Sequence, residues 1–147
     1  MFQLSISNTV SIGDIATFIG FLSAVLTLLG IRNQISVSVF SDYSDRYHQI
    51  MRRFPLEVWT NKALRLAELE PNKQHSLKSD FADFFRLLAG ERYLHELGFI
   101  NRQTWRVWAR GARQLLSRPI SKEIWDELRE IFDYDPRFQK YIDSNFR

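Results

Sequence analysis

The chain contains no cysteine, which excludes a disulfide framework and the Cys-based zinc sites and accords with a reducing compartment. There is no glycine-rich phosphate loop. The three histidines, His48, His75 and His95, lack a metal-ligand spacing such as i, i+4. No catalytic constellation stands out, so an enzyme is not expected, and neither a metal nor another cofactor is implied. Internal repeats and low-complexity linkers are missing too. Strand alternation is confined to SVSVF at 36–40, too short to outweigh its helical surroundings. Lysine and arginine are absent before Arg32, and that gap carries information.

What is present begins with a charge-free run. Ile15 to Ile31 is 17 residues without a charged side chain, bracketed by Asp14 and Arg32. As a helix it would be roughly 25 Å long, against a hydrocarbon core of ~30 Å, and an arginine stem at its end can reach the interface. The preceding residues hold no basic group and no small-x-small cleavage site follows, so a signal peptide is not expected. The first basic residues after the run are Arg32, Arg46, Arg52 and Arg53. That asymmetry predicts a single-pass protein of a bacterial inner membrane, N-terminus outside, with the remainder cytoplasmic. The division expected is 1–34 for the tail and transmembrane helix, and 35–147 for a cytoplasmic all-α domain.

The run has an internal rhythm. Gly13, Ala16, Gly20, Ser23, Thr27 and Gly30 occupy the core positions of a seven-residue repeat, and all are small. Between lipid-embedded helices a small-residue stripe permits close backbone approach, where the hydrophobic effect offers no drive. A 3.5-residue period favours a left-handed bundle. With one span per chain, the simplest partner is another copy of the same chain.

Beyond Arg32 the periodicity is helical throughout. Phe40, Tyr43, Tyr47, Ile50, Met51 and Phe54 carry the first helix out to Pro55. Leu56, Trp59, Ala63, Leu66 and Leu69 suggest a second, stopped by Pro71, with PNKQHS as a loop. Phe81, Phe84, Phe85, Leu88, Leu94 and Leu97 mark a third, ended by Gly98. Asn101 caps a fourth that runs to about Leu116. Ser121 would cap a fifth with Ile124, Trp125, Leu128, Ile131 and Phe132 on one face. Asp135 followed by Pro136 reads as a cap and first-turn proline for a short last helix. The fold class expected is all-α, a transmembrane helix followed by a small helical bundle.

Fifteen of the 20 basic residues are arginine, the residue suited to bidentate pairing with phosphate or carboxylate. The segment NRQTWRVWARGARQLLSR, 101–118, has five arginines and no acid. At about 100° per residue, Arg102, Arg106, Arg110 and Arg113 fall within an arc of roughly 80°, beside Trp105. Trp105, Trp108, Ala112, Leu115 and Leu116 form a separate, core-facing arc. Like charges so grouped repel and call for an anionic partner. Three are open: the acids Glu123, Asp126, Glu127 and Glu130; a ligand with several phosphates, clamped by arginines and stacked by an aromatic ring; or the anionic inner leaflet. His48, Arg52 and Arg53 form a smaller basic group available to any of these.

The strings FSDYSDRYHQIMRRFP, FFRLLAGERYLHELGFINRQTWRVW and DYDPRFQKYID resemble small bacterial single-pass membrane proteins in which an aromatic-rich helix precedes a W-x-x-W helix. The layout is also similar to CRISPR-associated membrane effectors that bind a cyclic oligoadenylate through a cytosolic helical domain and then act on the membrane. That resemblance implies a homo-oligomeric antiviral effector triggered by a cyclic oligonucleotide, with no DNA partner expected. A membrane-anchored scaffold or accessory subunit that binds an acidic protein is the alternative.

Overall fold

A computed structural model describes residues 12–146; the side chains of residues 12–18, 32 and 33 lie outside the described set. Gly13 and Ala16 of the small-residue stripe, with Asp14 and Arg32, are therefore placed only as helix backbone. Among the described residues every regular element is helical. The chain divides into two units, Met1–Val37 and Ser38–Arg147, and each is described by itself.

The first unit contains the beginning of α1 (Ile12–Arg53), one unbroken helix of 42 residues. Within it the stretch Ile19–Arg53 holds a window of mean hydropathy 1.3, none of it buried, long and apolar enough to cross a membrane by length and composition. Phe21, Leu26 and Leu28 are exposed. A Cβ built on Gly20 or Gly30 meets no atom within 4 Å. The Thr27 hydroxyl donates to the Ser23 carbonyl at 2.8 Å, which satisfies it within the helix.

The second unit gathers the last turns of α1 with α2 (Leu56–Thr60), α3 (Pro71–Glu96), α4 (Arg102–Leu116), α5 (Pro119–Leu128) and α6 (Pro136–Asn145). Its core is aromatic. From α3, Phe81, Phe84 and Phe85 are almost wholly buried. Phe54 of α1 stacks on Phe81 with centroids 4.9 Å apart, and Phe85 meets Trp125 of α5 at 4.9 Å. Trp125 also packs on Phe132 and Phe138. Its indole N–H donates to Asp143 Oδ1 at 2.8 Å, so this buried tryptophan keeps its polar atom paired.

Three element boundaries differ from the periodicity, and the same chemistry explains two of them. Pro71 does not stop a helix; it occupies the first turn of α3, so PNKQHS is helical. Pro119 likewise starts α5, with Arg118 at the N-cap. Proline tolerates the first turn because its missing N–H would have no partner there in any case. Ser121 is consequently interior and buried, and its hydroxyl donates to the Leu115 carbonyl at 2.7 Å.

The third difference is the expected second helix, which ends after one turn. Asn61 turns extended and its side chain accepts from the Ala63 N–H at 3.0 Å, the kind of local bond that competes with helix. Leu64 and Leu66 then reach the core from an irregular segment with a 3-10 turn at Leu66–Glu68, while Ala63 is exposed. α5 also gives way to a 3-10 turn, Arg129–Phe132, which leaves Ile131 exposed while Phe132 is buried. The caps at Asn101 and Asp135 form as expected, accepting from Thr104 N at 2.8 Å and Phe138 N at 2.9 Å. Gly98 takes φ 78°, the left-handed position after a helix end that glycine adopts without strain.

Candidate functional site: the arginine face of α4

Local sequence positions this face. Asn101 fixes where α4 begins. Ala109, Ala112, Leu115 and Leu116 are buried and therefore set its rotation. Arg102, Arg106, Arg110 and Arg113 are all exposed, and none of their side chains makes an ion pair or hydrogen bond among the described residues. Trp105 is half-buried beside them. Its ring stacks on His95 with centroids 5.2 Å apart and planes 12° from parallel, and lies 6.0 Å from Tyr141. The His95 Nδ1–H donates to the Ile100 carbonyl at 2.9 Å, which holds the imidazole against the indole. Arg113 is close enough to Tyr141 to favour its phenolate, although burial dominates and raises that hydroxyl's pKa.

Three of the four acids at 123–130 are engaged elsewhere. Glu123 accepts from the Arg65 guanidinium at 2.7 Å and from the Leu66 N–H at 2.8 Å. The Leu66 hydrogen bond, with help from Arg65, holds its carboxyl below the usual range. Asp126 pairs with Lys122 at 2.6 Å and Glu127 with Lys78 at 2.5 Å. Within one chain these acids do not neutralise α4.

The second basic group is dispersed. Arg53 bridges Asp80 and Asp83 of α3 at 3.2 and 2.8 Å. Arg52 is exposed. His48 lines a cleft between α1, α3 and α4, and none of the four α4 arginines lines that cleft. The structure thus gathers Arg102, Trp105, Arg106, Arg110 and Arg113 on one element and sets His48 and Arg53 in other surroundings. No group of side chains able to hold a metal ion occurs among the described residues.

One chemically unusual residue escapes a motif search. Glu91 is only 5% exposed, and burial pushes its carboxyl up to about 8. Its signal is positional: it follows Leu88 by three residues on the apolar stripe of α3, where a hydrophobic side chain is expected.

No protein-family model, curated protein or solved structure matches this chain.

Proposed function

We propose that this protein is a membrane-anchored, non-enzymatic effector whose cytoplasmic helical domain binds an anionic second messenger of the cyclic oligonucleotide class. The observation that carries this is the α4 face: four exposed guanidinium groups without an acidic partner among the described residues, while Glu123, Asp126 and Glu127 pair with Arg65, Lys122 and Lys78 instead. From Arg102 to Arg113 the face extends ~16 Å along the helix, long enough to meet more than one phosphate. Trp105 borders it and shapes its edge. Copies associate through Gly13, Ala16, Gly20, Ser23, Thr27 and Gly30 in the bacterial inner membrane, N-terminus outside. A symmetric ligand suits a symmetric oligomer, and ligand preference for one arrangement of subunits shifts the population toward it. The consequence is membrane disruption in antiphage defence.

The test is thermal melting of the full chain in detergent micelles with cyclic tri-, tetra- and hexa-adenylates, alongside linear oligoadenylate of matched charge. Stabilisation by one ring size, lost in a variant with all four arginines changed to glutamine, supports the proposal. No shift with any ring contradicts it.

Val107 favours a second reading. It is 64% exposed on the same side of α4 as Arg110, and an aliphatic group among arginines suits an acidic protein partner better than a nucleotide. A scaffold of that kind would ignore the cyclic ligands and retain an acidic protein through the same arginines.

A further inference from the structure

The cleft between α1, α3 and α4 has a volume of about 260 Å³. Its walls are Phe84, Leu87, Leu88 and Ala112, with Tyr47 and Trp108 supplying aromatic surface. Two features set it apart from the rest of this basic chain. No lysine or arginine lines it. Its one acidic group is the Glu91 carboxyl, bordered by the Ser44 and Tyr47 hydroxyls and by His48, whose Nδ1–H is given to the Ser44 carbonyl at 2.7 Å. Glu91 is nineteen-twentieths buried yet has no hydrogen bond or ion pair among the described residues. Buried carboxyl groups without a partner are costly, and one that opens onto an aromatic-walled cleft is a place for a donor to enter.

We propose that this cleft is a binding site for a small organic cation, a primary amine or amidinium on an apolar or aromatic body. The ammonium would pair with Glu91 and lie against the faces of Tyr47 and Trp108, which attract cations through their ring quadrupoles. The apolar body would fill the space along Leu87, Leu88 and Ala112. The site is separate from the α4 arginine face and does not rest on the function proposed for it.

Proton balance gives the site a signature. The groups around Glu91 are the Tyr43 and Tyr47 hydroxyls and His48 from α1, and Tyr141 from α6; burial raises all three tyrosines, and the charge of Glu91 adds to it. Burial keeps Glu91 protonated near neutrality. An arriving ammonium favours the carboxylate, so the Glu91 proton leaves for the buffer as the ion pair forms. Binding therefore tightens as pH rises from 6 to 8.

The experiment is calorimetric titration of the full chain in detergent micelles with phenethylamine, its neutral analogue 2-phenylethanol, and 3-phenylpropionate, in two buffers of different ionisation enthalpy. Phenethylamine should bind at least about tenfold tighter than either analogue, with a heat that changes between buffers as proton release requires. Glu91→Gln should lose that preference while melting as a folded protein, and Gly111→Leu, which fills the cleft from α4, should lose binding of the amine altogether. Equal affinity for phenethylamine and 2-phenylethanol, unchanged binding by either variant, or no binding of the amine at millimolar concentration overturns the proposal.

Discussion

A methyl group built on Gly90 would lie 2.8 Å from the Tyr43 hydroxyl oxygen and 3.3 Å from its ring, so α1 and α3 meet there at a distance that suits glycine. The Tyr43 ring is itself held against Trp108 of α4, with centroids 6.3 Å apart. Gly111 faces Tyr47 from α4 with more room, at 3.8 Å. Two glycines in two helix interiors thus have opposite tolerance for a side chain.

Gly90→Ala should lower stability by about 1 kcal/mol, because overpacking costs about 1–3 kcal/mol and the gain in helix propensity returns roughly 1. Gly111→Ala meets only ordinary contact and should raise stability by about 0.5–1 kcal/mol. Denaturant midpoints of the two variants measured side by side check the sign of each.

Glu91 makes stability depend on pH in a direction unusual for a carboxylate. Its folded pKa, about 8, lies above the ordinary value of 4.5, so the native state holds this proton more tightly than the unfolded chain does. Stability is greatest below the ordinary value, falls as pH rises between 4.5 and about 8, and levels off above. The loss is on the order of 5 kcal/mol across that window. Glu91→Gln abolishes this component, so the variant should gain stability relative to the parent steadily from pH 5 to pH 8. A constant difference across that range contradicts the burial described for Glu91.

Asn101 and Asp135 each satisfy an otherwise unpaired N–H at a helix start. Asn101→Ala and Asp135→Ala should each cost about 1 kcal/mol, read from urea unfolding. The two sites lie on different helices, so their effects should add in the double variant.

Helix type and the core face were legible because the apolar residues of α3 and α5 recur at three and four, and the period survives packing. The prolines were less legible. Pro71 and Pro119 read equally well as stops and as first-turn residues, and only the following backbone distinguishes the two. The expected Leu56–Leu69 helix carried the right apolar spacing, but Leu64 and Leu66 reach the core from an irregular segment because Asn61 redirects the chain. The α4 arginine arc followed from helical geometry alone. That its charge goes unpaired among the described residues did not, since it depends on Glu123 reaching Arg65 and Leu66 across 57 positions or more. Glu91 was legible only as an acid on an apolar stripe.

The small-residue stripe has its own test. Gly20→Leu and Gly30→Leu add side chains where nothing lies within 4 Å, so neither should disturb the helix of a single chain. If copies associate along this edge, the added bulk should weaken association about tenfold or more, measured by dilution of fluorophore-labelled protein in micelles. Unchanged association would move the contact to another face.

Most directly, the salt dependence of cyclic oligoadenylate binding by the full chain in micelles tests whether the α4 arginines hold phosphate. The affinity should fall linearly with the logarithm of salt concentration, and each single substitution of Arg102, Arg106, Arg110 or Arg113 by glutamine that removes a phosphate contact should lower that slope by about 1. Absence of binding, or a slope indifferent to all four substitutions, contradicts it.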